Sequence, residues 1–239
     1  MRLFATAGRV LGQLRHDPRT VAMMALLPML LVGLFSWIMP VRMFDQVGPM
    51  LIALFPFTVM FIVTSIATLR ERTSGTLERL LTTPLRKAEL LFGYEIAFGL
   101  VAVLQAILVV SFAVYVCGLE IDGSLWVVGG TAVLNALMGT ALGLLASAFA
   151  RTEFQAVQFM PVFVFPQMAL GGVFMPRSGM PDVLSAISDW LPLSYSIEAI
   201  QRAVANVSGW DLQRPLLILV GVTLLALLLG SLTLPRRTP

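Results

Sequence analysis

Long uncharged apolar runs, broken by short charged segments, set the pattern of the chain. Six such runs occupy residues 21–39, 47–69, 96–119, 125–149, 156–175 and 216–234. Each approaches the ~20 residues a helix needs to cross ~30 Å of hydrocarbon. A lone spanning segment must satisfy its own backbone hydrogen bonds, so all six are predicted as membrane helices. Ahead of them, Leu3, Phe4, Ala7, Val10, Leu11 and Leu14 share one helical face, and Arg2, Arg9, Gln13 and His16 take the other. That alternation predicts an interfacial helix lying along the membrane. No signal peptide is evident, because the first apolar run starts only at Val21 with no small-residue cleavage site after it.

Composition agrees with the pattern. Only 12% of the 239 residues are charged and 58% are hydrophobic, and the mean hydropathy is +0.89. Those values exclude an ordinary soluble domain. If the N-terminus is cytoplasmic and each run crosses once, twelve of the sixteen Lys and Arg residues fall inside and four fall outside. On the same reading Trp37, Trp126, Trp190 and Trp210 all land at the external face, as interfacial aromatics do. Six crossings put both termini in the cytoplasm.

Candidate chemistry is sparse. Every Asp, Glu, Lys and Arg, and the single His16, is expected outside the six runs, which leaves an ion-coupled carrier or proton relay without an ionisable group at membrane depth. One histidine and Cys117 cannot build a zinc site, a disulfide or a Cys/His pair, and Lys87, the only lysine, sits in no phosphate-binding loop. No enzymatic activity, metal site or nucleic-acid surface is predicted. The longest polar segments, 70–95 and 176–215, are too short for a catalytic domain of ~100 residues. Energy for uphill transport would have to come from another chain.

The charged segment 70–95 is the natural point of entry. Gly75 starts a short helix with Glu78 near its positive end, Leu77, Leu80 and Leu81 form a narrow ridge, and Pro84 stops it. Such a helix suits a groove on a soluble partner, with Arg70, Arg72, Glu78 and Arg79 setting register. It equally suits a surface helix resting on the membrane. In the segment after the fifth run, Pro181 opens a helix with Val183, Leu184, Ile187 and Leu191 on one face. Pro192 breaks it, and Ser194 is expected to cap a second helix carrying Ile197, Ile200 and Val204. Thr131, Asn135, Gly139, Gly143 and Ser147 recur every four residues along the fourth run, a small-residue face expected to pack within one protomer. The fifth run carries Gln155, Phe159, Phe163, Gln167 and Gly171 as a stripe, interrupted by Pro161 and Pro166.

Residues 70–93, RERTSGTLERLLTTPLRKAELLFG, resemble the cytoplasmic loop of type-2 ATP-binding-cassette (ABC) permeases, in the branch of drug exporters typified by daunorubicin-resistance permeases. LRHDPRTVAMMALLPMLL at the first run and GGVFMPRSGMPDVLSAISDWLPLSY after the fifth fit in order, so the resemblance covers nearly the whole chain. Related permeases commonly carry lysine where Tyr94 stands, and no role is assigned there.

The resemblance implies an all-α integral membrane permease: six spans, an N-terminal interfacial helix, a short coupling helix and an external re-entrant helical hairpin between spans five and six. The single domain, 1–239, then divides into the interfacial helix (1–20), spans one and two (21–69), the coupling loop (70–95), spans three to five (96–175), the re-entrant segment (176–215) and span six with its tail (216–239). Coupling to an ATPase carries over to Glu71, Gly75, Thr76, Leu77, Glu78, Leu80, Leu81 and Pro84. The second and fifth spans line the path in similar permeases, which makes Phe55, Phe61, Phe159, Phe163, Gln167 and Met168 the candidate lining. Pro176, Pro181, Leu191, Pro192 and Tyr195 mark the re-entrant segment.

Implied partners are two ABC ATPase subunits, which bind the ATP and Mg, a second permease, identical or homologous, and membrane lipid. The implied location is the bacterial cytoplasmic membrane. An uncharged, aromatic path fits export of lipophilic or amphipathic compounds such as drugs or lipids. Export of polysaccharides or glycolipids, an ion-coupled secondary carrier and a non-transporting assembly protein are the alternatives.

Overall fold

The computed structural model describes residues 2–74, 87–173 and 179–233. Among them the regular structure is helical throughout: α1 (Arg2–His16), α2 (Pro18–Ile38), α3 (Val41–Thr73), α4 (Lys87–Tyr115), α5 (Leu125–Ser147), α6 (Glu153–Leu170), α7 (Asp182–Ser188), α8 (Pro192–Val204) and α9 (Trp210–Thr233). The predicted helix at Gly75–Pro84, and Pro176 of the predicted re-entrant segment, lie outside the described residues.

Five of these helices, α2, α3, α4, α5 and α9, are long and apolar enough to cross a membrane. Six were expected. The fifth apolar run forms α6, whose 18 residues rise only ~27 Å. Glu153, three glutamines and the two internal prolines dilute its apolar character. By contrast α3, with 33 residues, extends ~50 Å and overreaches the hydrocarbon at one end or both.

α3 and α5 form the centre of the bundle, with α4, α6, α8 and α9 packed around them and α2 against α3 and α4. The small-residue stripe makes this contact possible. A Cβ at Gly143 would stand 2.5 Å from the Phe61 carbonyl oxygen, and one at Gly139 would meet the Phe57 backbone. Glycine therefore lets two backbones touch within one protomer.

Proline leaves carbonyls that other helices satisfy. Pro28 in α2 has no N–H for the Met24 carbonyl, and Gln105 of α4 donates its Nε2 to that oxygen at 2.6 Å. Pro215 in α9 likewise frees the Asp211 carbonyl, which accepts from Arg202 of α8. Each such bond ties a break in one helix to a side chain on its neighbour.

α1 differs from expectation in how its faces are used. Thr6, Ala7 and Val10 are buried against α4, where Gly93 admits the Thr6 side chain, while Phe4 is left exposed. Arg9, assigned to the polar face, turns inward. A second correction concerns Glu95, which the sequence placed in the loop before the third run. α4 begins at Lys87, so Glu95 lies inside the helix and is 8% exposed, one residue ahead of the apolar run at 96–119 and not in a loop.

The segment between α6 and α9 folds onto the bundle. α8 buries Leu193, Ile197, Ala199, Ile200 and Ala203 against α3, α5 and α9. Its first turn begins at Pro192, with Leu191 and not Ser194 at the cap position. Ser194 sits inside the helix, and its hydroxyl meets that of Ser188 at 3.0 Å. The α4–α5 loop closes the other end, where the amides of Asp122 and Gly123 donate to the Val204 carbonyl at 3.0 and 2.9 Å. All four tryptophans, Trp37, Trp126, Trp190 and Trp210, are exposed.

Candidate functional site

The last turn of α3 points three consecutive charged side chains in three directions, because successive residues of a helix are rotated by about 100°. Arg70 reaches α6, its Nε and Nη2 donating to the two carboxylate oxygens of Glu153 at 2.7 and 2.9 Å. Glu71 reaches α1 and accepts from Nη1 and Nη2 of Arg9 at 2.7 and 3.1 Å. Arg72 reaches the turn between α5 and α6, where it donates to the carbonyls of Ala148 (2.9 Å) and Ala150.

The Arg9 pair is built on three elements. Its Nη2 also donates to the Tyr94 hydroxyl of α4 at 2.9 Å, and the guanidinium carbon lies 5.7 Å from the Tyr94 ring centroid. Tyr94 is 1% exposed. Glu71, predicted to face an ATPase, is thus committed to an ion pair inside this chain. Gly75, Thr76, Leu77, Glu78, Leu80, Leu81 and Pro84, the rest of the predicted coupling set, lie outside the described residues. Arg70 and Arg72 hold neighbouring helices, and this anchored turn is the last described part of the chain before residue 75.

Of the six predicted lining residues, the structure assembles three. Phe61, Phe159 and Phe163 line a groove of ≈ 280 Å³ between α3, α5 and α6, together with Leu142, Leu145, Ala146, Phe149 and Val162. The rings of Phe61 and Phe163 stack at 5.9 Å and 8°. Gln167 continues the stripe but serves packing. It is 1% exposed, and its Oε1 accepts the Leu193 amide at 3.1 Å, satisfying one of the open N–H groups at the start of α8. Phe55 faces elsewhere, against Phe35 of α2 at 5.9 Å, and Met168 packs partly buried at the core margin. Pro181 caps α7, Pro192 opens α8, and the Tyr195 hydroxyl donates to the Asp189 carbonyl at 2.8 Å across the turn between them.

Sequence reasoning missed Arg9, Tyr94, Gln105 and Glu95. Glu95 Oε1 accepts the Thr140 hydroxyl at 2.6 Å, and its Oε2 has no partner. Only Gln105 had a legible counterpart, since Pro28 announces an open carbonyl three turns into the first long helix.

The sequence profile of the ABC-2 type transporter family matches residues 2–204, a range that holds the anchored turn, the groove and α8. The chain belongs to the ABC-2 type transporter family. "Probable multidrug ABC transporter permease YbhR" of Escherichia coli (strain K12) is similar at 29% identity over 181 residues, covering 74% of this chain and 49% of YbhR. "Probable multidrug ABC transporter permease YbhS" of the same organism is 30% identical over 141 residues, 59% of this chain and 37% of YbhS. "ABC transporter G family member 20" of Dictyostelium discoideum is 25% identical over 168 residues, 70% and 23% of the two chains. The matched region thus spans about half of YbhR and less of the other two. Family and helices together make this a multi-pass ABC-2 membrane chain of the permease kind.

Proposed function

We propose that this chain is the permease subunit of an ATP-driven exporter of lipophilic or amphipathic compounds. The observation that carries the substrate class is the groove of Phe61, Phe159 and Phe163, which holds no charged residue in its lining. Aromatic faces and aliphatic walls bind apolar surface and leave ions and sugars unrewarded. Membership in the ABC-2 family and similarity to proteins named as multidrug permeases support the transport role.

In this reading α6 crosses the membrane as the fifth of six spans, short because the groove and α8 bury part of it. α7 and α8 form a re-entrant hairpin at the external side, both termini are cytoplasmic, and a second permease copy completes the pathway. Residues 75–84 dock on a separate ATPase that binds ATP and Mg. The turn at Arg70, Glu71 and Arg72 carries that movement into α1, α5 and α6.

The test is coexpression with the candidate ATPase and reconstitution into vesicles. Leu80→Arg is expected to abolish stimulated ATP turnover with normal membrane insertion, and Phe61→Ala with Phe163→Ala to lower efflux of a lipophilic dye about tenfold while basal turnover stays. Unchanged efflux in the double alanine variant would remove the groove from the path. Unchanged turnover in Leu80→Arg would remove the coupling segment.

A further inference from the structure

Two glutamates stand at the same end of the bundle in opposite surroundings. Glu71 of α3 has both carboxylate oxygens bonded to the Arg9 guanidinium, so its charge is balanced. Glu95 of α4 follows Tyr94, which completes that cluster, and the helical rotation of about 100° per residue aims it at α5 instead. There it is 8% exposed, its Oε2 meets no donor, and no ion pair reaches it among the described residues.

The elements around it supply no counter-charge. α5 carries no ionisable residue, and α9 carries only Asp211 and Arg214, in its first turns at the far end. From α1 and α3 come Arg9 and Glu71, bonded to each other, and Arg70 and Arg72, bonded to Glu153 and to the carbonyls of Ala148 and Ala150. His16 meets the Gly12 carbonyl. α2 brings Asp17, held by Thr20, and Arg19 at its start. α4 itself adds Lys87 and Glu89 in its first turn and Tyr94, which Arg9 holds. None of these charges acts on Glu95, whose one partner is the Thr140 hydroxyl.

A count of hydrogens at Thr140 then decides the state of the acid. Thr140 Oγ1 lies 2.6 Å from Glu95 Oε1 and 2.7 Å from the Leu137 carbonyl oxygen. Both are full hydrogen-bond distances, yet a hydroxyl owns one hydrogen. With Glu95 ionised, both neighbours are pure acceptors and one contact has no proton. With Glu95 protonated, the acid donates to Thr140 and Thr140 donates to Leu137, so hydrogens and contacts match. The bare Oε2 is then a neutral carbonyl oxygen, which costs far less to bury without a partner than a carboxylate oxygen.

We infer that Glu95 is a proton-binding site: its carboxyl holds a proton while α4 is closed on α5, and releases it when that seam opens and water reaches Oε2. The contact between the two helices is thereby sensitive to pH. The inference stands on this chain alone and is independent of the exporter reading, because its tests use no ATPase, ATP or substrate.

Infrared absorption reads the proton directly, on the full chain at neutral pH in dodecyl maltoside, a detergent with no carbonyl of its own. The wild type is expected to show the C=O stretch of a protonated carboxyl that Glu95→Gln lacks. Thr140→Val should shift that band, and Thr140→Ser should leave it in place. A wild type without the band, with carboxylate absorption lost in Glu95→Gln, overturns the inference. If Glu95→Gln does not fold, the Thr140 pair decides alone, since a band unmoved in Thr140→Val belongs to another group. Release on opening is read from stability: a carboxyl protonated when folded and ionised when unfolded makes stability fall as pH rises. Between about pH 5 and about pH 9 the melting temperature of the wild type is expected to drop at least about 3 °C further than that of Glu95→Gln. Parallel curves for the two proteins overturn the pH-sensitive seam.

Discussion

Gln105 Nε2 donates to the Met24 carbonyl at 2.6 Å, the one carbonyl that Pro28 deprives of its helical donor. The bond links α4 to α2, and Gln105 is 1% exposed, so water cannot replace it. Gln105→Leu is expected to cost about 1–2 kcal/mol. Pro28→Ala restores an N–H within α2, and the same Gln105→Leu change made on that background should cost clearly less. Unfolding titrations of the four proteins in mixed micelles give the coupling. A cost that is independent of residue 28 would show the bond to be incidental.

Arg9→Ala should destabilise more than Glu71→Gln. The first leaves a largely buried carboxylate with its cation gone, at a cost of about 1–3 kcal/mol, and the second leaves a neutral amide that still bonds Arg9. Tyr94→Phe keeps the ring under the guanidinium and loses only the hydroxyl bond, about 1 kcal/mol. Limited proteolysis at the α1–α2 junction reads the release of α1 directly, and Arg9→Ala should be cut fastest.

Two glycine positions in α5 should respond oppositely. Gly143→Ala forces a Cβ against the Phe61 carbonyl and the Thr64 hydroxyl and should cost at least about 1–3 kcal/mol. Gly130→Ala meets nothing within 4 Å and should be neutral or stabilising by up to about 1 kcal/mol. The comparison uses the same helix and the same chemical change, so thermal melts in detergent separate contact from propensity.

Glu95→Gln should be tolerated at neutral pH, because an amide oxygen accepts the Thr140 hydroxyl and the second atom need not carry charge in a buried site. Glu95→Lys should prevent proper packing of α4 on α5, since α5 offers no anion anywhere along its length. Yield of monodisperse protein after extraction, with melting temperature, distinguishes the two outcomes.

The membrane-crossing helices were legible because an apolar run near twenty residues has one structural solution in lipid. Close packing of α5 within the protomer was legible for a related reason, as a four-residue spacing of Gly139 and Gly143 leaves a flat strip on any helix, but that α3 fills it was not. What failed to show were contacts between distant positions. Arg9 lies 62 residues from Glu71 and 85 from Tyr94, and nothing local marks an arginine on an amphipathic helix as the one that turns inward. Glu95 was misplaced because hydropathy locates the apolar part of a helix and is blind to where its hydrogen bonding starts. The groove was half legible: the four-residue stripe of α6 does put Phe159 and Phe163 on the face that meets Phe61, but only packing revealed that Gln167 is consumed by the Leu193 amide.

The docking of α1 on α4 carries a consequence for biosynthesis. Chains grow at ~5–20 residues per second, so the 85 residues that separate Arg9 from Tyr94 take ~4–17 s to make. Until Glu71 and then Tyr94 have been made, α1 lacks its carboxylate and its phenol, and two long apolar helices must enter the bilayer while it waits. α1 therefore waits for two later helices before it can seat, and a nascent chain stalled before residue 94 would leave α1 undocked.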